Sequence, residues 1–206
     1  MKQPASRILG TGHYLPPIVR TNADLERMVD TSDAWIVERT GIRQRRIAPP
    51  EMVTSDMAAA AARLALEQAE LDPKELDLIL VATVTPDVPM PATAVFVQEK
   101  IGAGRCPAMD LSAACAGFVF GLSIADAFIR SGSMRHVLVV GVELLSRVVD
   151  WTDRTTCVLF GDGAGAAVIG PAGGATSRDR PRGILATRME SDATLSRSLM
   201  IPAGGT

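Results

Sequence analysis

The sequence has 206 residues, of which 47% are hydrophobic, and a formal net charge of −2 at pH 7. This composition predicts a soluble globular domain and excludes disordered and fibrous proteins. The balanced charge offers no basic surface for nucleic acid, and no run of about eighteen apolar residues predicts a membrane span. Three cysteines at unrelated spacings indicate reduced thiols, and the chain shows no secretory signal, so we expect a cytoplasmic protein.

The first part of the chain predicts one strand and two short helices. Residues 8–15 have the apolar character of a strand interrupted by glycines, and Pro16 ends it. Asn22 stands where it would cap a short helix. Ser32 is the expected cap of a second helix, and Gly41 its left-handed terminator.

Helices and strands then alternate. Helices are predicted at 54–69, beginning at Thr54 or Ser55, at 92–101 and at 115–130, and they precede predicted strands at 78–82, 107–111 and 137–140. This alternation predicts an α/β layered fold with a mainly parallel sheet. Further strands are predicted at 156–160 and 164–169, then a surface loop at 170–183, then strand-like pieces at 184–206 with no helix to cover them.

Cys115 stands where an apolar strand turns into an apolar helix. Large apolar side chains surround that helix, so we expect it to be buried on most faces. A thiol at a helix amino end faces unpaired N–H groups and the positive end of the dipole, which stabilise the thiolate. Small neighbours leave room for a substrate carbonyl, so the pattern favours covalent acyl transfer. Free cysteines are more often inert packing, and we interpret Cys106 and Cys157 in that way.

Three motifs resemble those of the β-ketoacyl-acyl carrier protein synthase III family. They are SAACAGF at residues 112–118, DTSDAWIVERTGI at 30–42 and FGDGAGAA at 160–167. They resemble the family's active-site segment, its N-terminal signature and its glycine-rich turn before a core strand. The resemblance implies a thiolase-like layered αβαβα fold, with residues 1–171 as the N-terminal half-domain and 172–206 as the loop and strands that begin an incomplete C-terminal half-domain.

The resemblance also implies a groove for coenzyme A. Trp35 and Arg154 match the residues that hold the adenine, Arg39 matches an arginine near the phosphates, and Thr31 matches a residue beside the base. A flat ring can stack on indole on one face and on guanidinium on the other. Met90 matches a position that reaches across a homodimer interface to close the partner's acyl pocket.

A cluster of arginines follows the second predicted helix. Taken alone, these residues would be a solvated surface, and on charge alone we hypothesise that they form a landing patch for an acidic carrier protein: Arg43, Arg45 and Arg46.

The implied activity has two steps. Cys115 takes an acyl group from acyl-CoA, which is a substrate and not a cofactor, and the acyl group then condenses with malonyl-acyl carrier protein to initiate fatty acid biosynthesis. The family's histidine and asparagine for the second step lie in its second half. His13 and His136 match neither position, so both are interpreted as structural. We therefore expect a fragment that is poorly stable alone and cannot condense.

Three alternatives remain at this point. One is a ketosynthase III-like acyltransferase of secondary (polyketide) metabolism, and another is a non-catalytic remnant that binds coenzyme A. The third is a nucleotide-binding oxidoreductase, since GDGAGA at residues 161–166 fits G-x-G-x-x-A. The apolar residues that follow predict a strand and not the required helix, which disfavours this third alternative.

Overall fold

The computed structural model describes residues 5–173 and 182–202. The strands are β1 (Ser6–Tyr14), β2 (Ile18–Thr21), β3 (Gln44–Ile47), β4 (Leu78–Ala82), β5 (Ala108–Leu111), β6 (Val137–Leu144) and β7 (Asp162–Pro171). The α-helices are α1 (Asn22–Glu26), α2 (Asp33–Thr40), α3 (Thr54–Ala69), α4 (Thr93–Ile101) and α5 (Gly117–Arg130). None of the helices in the described ranges is long and apolar enough to cross a bilayer.

A five-stranded sheet runs through the centre in the order β1-β7-β6-β4-β5, and β2 and β3 form a separate two-stranded antiparallel sheet. Strand β4 is parallel to both β5 and β6, whereas β7 is antiparallel to both β6 and β1. The predicted mainly parallel sheet is therefore wrong for half of the pairings. No α-helix separates β6 from β7, and without a crossover helix the chain returns antiparallel.

Helices cover both faces of this sheet, which confirms the predicted α/β layers. Alternate residues of β4 and β6 point to opposite faces: Ile79, Val81 and Leu138 pack in one apolar cluster with α3 and α4, and Leu78 and Leu80 in another with α5. Because both faces are buried, β4 is a continuous apolar run without polar alternation.

Helix α5 lies very close to the sheet. A Cβ added at Gly117 would be 2.7 Å from the Cβ of Ala82, and one added at Gly121 would be 2.6 Å from Cγ1 of Val139. Of the larger side chains of α5, Ile129 is buried in the cluster on this sheet face and Val119 is exposed. The other large ones are half-buried: Phe118, Phe120, Leu122, Ile124 and Phe128. The prediction that this helix is buried on most faces is therefore wrong, because one sheet face covers only one side of it.

Helix ends agree with the sequence in most places. Ser32 accepts a hydrogen bond from the Trp35 N–H at 3.1 Å, and Gly41 ends α2 with φ 73°, as predicted. The cap of α1 is Thr21 and not Asn22, because Thr21 forms a reciprocal capping box with Asp24. Asn22 is buried instead.

Two strand predictions near the end of the chain are wrong. Residues 156–160 form turns, because the Asp153 carboxylate accepts hydrogen bonds from the Thr155 N–H and from the hydroxyls of Thr155 and Thr156. Residues 182–202 contain a single 3₁₀ turn, Ala193–Leu195, and no strand. The loop predicted at 170–183 falls in part, at 174–181, outside the described residues.

Candidate active site

Cys115 lies in a 3₁₀ turn, Ala114–Ala116, between the end of β5 and the start of α5. The predicted helix began at Cys115, whereas α5 begins at Gly117. Cys115 therefore precedes the helix and does not lie in its first turn. Ala114 adopts a left-handed conformation with φ 45°, which costs an L-residue about 1–2 kcal/mol. This sharp turn leaves Cys115 exposed at the surface.

The other two cysteines lie in apolar surroundings. Cys157 is fully buried with Leu25, Ile36 and Val158, and burial raises the pKa of its thiol. Cys106 is half-buried, and burial likewise raises its pKa, although a hydrogen bond from Gln98 opposes this. Of the three thiols, Cys115 is the exposed one, Cys106 is partly accessible and Cys157 is enclosed.

An open cavity of about 370 Å³ lies beside the Cys115 turn. Ala113 and Ala116, which flank the cysteine closely, form part of its wall, with Phe120 and Ile124 of α5 and with Met189. Cys115 itself is not among the lining residues, but the wall is mainly apolar, so the cavity can hold a short apolar group beside the turn that carries the cysteine.

The structure brings together the three large side chains that the resemblance assigns to nucleotide binding. The guanidinium carbon of Arg154 lies 4.9 Å from the ring centroid of Trp35, and that of Arg39 lies 5.7 Å from it. A planar base between Trp35 and Arg154 needs about 7 Å, twice the optimal carbon–carbon separation of about 3.5 Å. Insertion of a base therefore requires Arg154 to move outward by about 2 Å.

Thr31 lies one residue before the cap of α2. Its Oγ1 is buried and has no hydrogen-bond partner among the described residues. A buried hydroxyl without a partner is costly, so a group that reached this atom and bonded to it would remove that cost.

Met90 lies in the loop between β4 and α4, and it is 85% exposed. Asp87 anchors this loop, because its carboxylate accepts hydrogen bonds from the backbone N–H and the hydroxyl of Ser55. Its own N–H donates to the Thr93 hydroxyl at 3.1 Å. The methionine therefore projects into solvent from a fixed base.

The predicted arginine patch is wrong for Arg45. The residue is 5% exposed, because its side chain points inward from the β2–β3 pair and donates to Asn22 and to the Val158 carbonyl. Arg46 is half-buried and donates to the Pro16 carbonyl at 3.2 Å, and only Arg43 is exposed.

Neither histidine lies near Cys115. His136 precedes β6, at the opposite end of the sheet from the carboxyl end of β5, and its Nδ1 lies 3.2 Å from the Glu75 carbonyl oxygen. His13 is on β1, the far edge of the sheet from β5, and four strand spacings of about 4.8 Å put these strands about 19 Å apart.

Glu143 lies near the carboxyl end of β6, beside the candidate site, and the sequence motifs did not indicate it. Its carboxylate accepts hydrogen bonds from the Val84 N–H at 2.9 Å and from the Thr85 hydroxyl at 2.6 Å. Burial raises its pKa, and these hydrogen bonds oppose the rise. Glu143 thereby holds the segment after β4 at the carboxyl ends of the parallel strands, the same end of the sheet as Cys115. A lone acidic residue in the apolar run of β6 was the available signal.

The glycine-rich motif also has a defined place. Asp162 accepts hydrogen bonds from the Ala48 N–H at 2.7 Å and from the N–H and hydroxyl of Ser146 at 2.8 and 2.6 Å. The residues that follow form strand β7 and not a helix. This excludes the dinucleotide-binding interpretation, which requires a helix there.

A mixed sheet between helical layers, with an exposed cysteine at a strand–helix junction, defines the class of thiolase-like condensing enzymes. Residues 109–193 match the family model for 3-oxoacyl-[acyl-carrier-protein (ACP)] synthase III. The chain is 53% identical over 201 residues to β-ketoacyl-[acyl-carrier-protein] synthase III of Caldanaerobacter subterraneus subsp. tengcongensis, across 98% of the chain and 59% of that relative. The chain belongs to the β-ketoacyl-acyl carrier protein synthase III family.

Solved structures agree with this. The crystal structure of 3-oxoacyl-(acyl carrier protein) synthase III from Pseudomonas aeruginosa PAO1 matches with a TM-score of 0.87 and 41% identity, across 98% of this chain and 61% of that one. The priming β-ketosynthase of the R1128 polyketide biosynthetic pathway matches with a TM-score of 0.77 and 47% identity, across 82% of this chain and 51% of that one. The chain spans about 60% of the length of the curated relatives it matches. The predicted family and thiolase-like fold are confirmed.

Proposed function

We propose that Cys115 accepts an acyl group from acyl-CoA, and that the protein carrying this chain then condenses it with malonyl-acyl carrier protein. This reaction is the first condensation of fatty acid biosynthesis. One observation carries the proposal: in a chain of this family, the one exposed thiol lies at the strand–helix turn, beside an apolar cavity of about 370 Å³.

The first step exchanges one thioester for another. The Cys115 thiolate attacks the thioester carbonyl carbon, a carbon–sulfur bond to Cys115 forms, and the bond to the sulfur of coenzyme A breaks. The departing thiolate takes a proton and leaves as free coenzyme A. In the second step malonyl-acyl carrier protein loses carbon dioxide, and the resulting carbanion attacks the acyl carbon. A carbon–carbon bond forms, the bond to Cys115 breaks, and the β-ketoacyl product leaves on the carrier protein.

We assign the nucleotide of coenzyme A to Trp35, Arg154, Arg39 and Thr31. The two guanidinium groups near the Trp35 ring suit a base and its phosphates, and the unpartnered Thr31 hydroxyl suits a polar edge of the base. Opening the Trp35–Arg154 spacing by about 2 Å would admit the base.

We further propose a homodimer in which the exposed Met90 closes the acyl pocket of the partner. Methionine is flexible enough to adapt to different acyl chains. We divide the chain near residue 171, with the nucleophile in the first part. We place the protein in the cytoplasm, in keeping with its three free cysteines.

Mass spectrometry of the intact protein tests the first step. After incubation with acetyl-CoA, we expect an adduct of one acetyl group that is lost in Cys115→Ser and retained in the matched control Cys106→Ser. A folded sample that binds coenzyme A without forming an adduct would support the non-catalytic alternative and contradict the proposal.

A second assay separates primary from secondary metabolism, because the R1128 relative keeps the polyketide alternative open. The protein as its gene encodes it is given a series of acyl-CoA starters with malonyl-acyl carrier protein. We expect condensation from short starters of fatty acid synthesis. Strong preference for an unusual starter would favour the polyketide alternative.

A further inference from the structure

Arg45 is a buried arginine without an ion pair. It is 5% exposed, and within the described part of the chain it forms no salt bridge. Its Nη1 donates to Oδ1 of Asn22 at 2.9 Å and to the Arg20 carbonyl at 3.4 Å, and its Nη2 donates to the Val158 carbonyl at 2.9 Å. A buried charge is costly, and these neutral acceptors offset the cost only in part, because Nε is also buried and has no partner among the described residues.

These contacts join the two segments that carry the nucleotide-binding candidates. Val158 lies four residues after Arg154 in the same series of turns. On the other side, Nδ2 of Asn22 donates to Oδ1 of Asp33 at 2.8 Å, and Asp33 begins α2 two residues before Trp35. A continuous chain of hydrogen bonds therefore runs from the segment of Arg154 to the helix of Trp35.

The apolar contacts between these segments fix their relative position less closely than the hydrogen bonds do. They pass through a small cluster in which Leu25 and Ile36 pack against Cys157 and Val158. Apolar contact is non-directional, whereas the planar guanidinium donates along fixed directions. The direct ion pair between the segments, Arg154 to Asp30, is 3.5 Å long and exposed, so it contributes little.

We propose that Arg45 is a positioning residue for nucleotide recognition. It fixes the separation of the two backbones, so that only the Arg154 side chain has to move when a base enters beside Trp35. Asn22 passes this constraint to α2. The inference rests on the proposed function, and it adds a residue that touches neither the nucleotide nor the thioester.

Two acyl donors test it in the protein as its gene encodes it. Acetyl-CoA carries the nucleotide, whereas S-acetylpantetheine has the same thioester and arm without it. The measured quantity is the ratio of kcat/KM for acylation of Cys115 by the two donors. We expect Arg45→Met to lower this ratio about tenfold, mainly through KM for acetyl-CoA. The control Arg7→Met, which changes an exposed arginine on β1, should leave the ratio unchanged.

Asn22→Asp is a second variant that keeps the arginine. Its carboxylate still accepts from Arg45 but cannot donate, so it loses the hydrogen bonds to Asp33 at the start of α2 and to the Ile42 carbonyl just after it. We expect the ratio to fall about threefold. In a Trp35→Ala background, Arg45→Met should lower the ratio no further, because the base has already lost its platform.

The outcomes are distinct. An unchanged ratio in Arg45→Met, or a further tenfold fall in the Trp35→Ala background, overturns the positioning role. Loss of folding in both Arg45→Met and Asn22→Asp also overturns it, because the network would then serve the fold itself. A wild-type protein that neither donor acylates contradicts the proposed function instead.

Discussion

Substitution of Gly121 by alanine tests whether the close packing of α5 on the sheet positions Cys115, the proposed nucleophile. The added Cβ would lie 2.6 Å from Cγ1 of Val139, a residue with no exposed surface. Normal contact needs about 3.5–4.0 Å, so α5 has to move away by about 1 Å. Overpacking costs about 1–3 kcal/mol, and the better helix propensity of alanine returns about 1 kcal/mol. We expect a net loss of up to about 2 kcal/mol in the free energy of unfolding.

The same movement should reach Cys115, which lies directly before α5. A displacement of about 1 Å at a reacting atom can cost about 100-fold in rate. Denaturant unfolding measures the stability, and the rate of acetyl transfer from S-acetylpantetheine measures the reactivity of Cys115. Val139→Ala removes the opposing methyl groups, so the double variant should be more stable than the sum of the two single changes predicts. The exposed Ala127→Ser is the control on the same helix. A Gly121→Ala protein that is more stable and equally fast would refute the reasoning.

Three further predictions concern single side chains. In the folded protein a maleimide should label the exposed Cys115 at least about 100-fold faster than the fully buried Cys157. Thiol-labelling kinetics with peptide mapping measure the two rates, and faster labelling of Cys157 would contradict Cys115 as the nucleophile. Burial raises the pKa of Glu143 above its ordinary value of 4.5, so wild-type stability should fall as pH rises from 4.5 through the folded-state pKa. Glu143→Gln should remove this fall in urea unfolding measured from pH 4 to 8, and a variant with the same pH profile as the wild type would contradict this prediction. Ala114 has φ 45°, so Ala114→Val should destabilise the protein by about 1–2 kcal/mol in urea unfolding, whereas Ala114→Gly should not.

Sequence patterns located the elements whose cause is local. The caps of α2 depend on Ser32 and Gly41, which act within a few residues of their own position. The strand β4 was evident because burial on both faces leaves an uninterrupted apolar run. The position of Cys115 at a strand–helix junction followed from the same kind of pattern, and the motifs around it identified the family.

Features that depend on distant partners were missed. Arg45 has the sequence signature of a surface charge, and only its contacts with Asn22 and Val158, 23 and 113 residues away, make it buried. The antiparallel direction of β7 depends on how the chain returns after β6, which apolar spacing does not encode. The exposed side of α5 was missed because the sequence shows an apolar helix but not how many surfaces cover it.

Trp35 belongs to a different apolar cluster from those that cover the central sheet. Trp35 and Trp151 pack against a small apolar cluster of their own, separate from the two clusters that sandwich the central sheet. Residues at the proposed nucleotide end can therefore change over evolutionary time without disturbing the layers beneath Cys115, the proposed nucleophile. A lineage could alter its donor while keeping the same covalent chemistry.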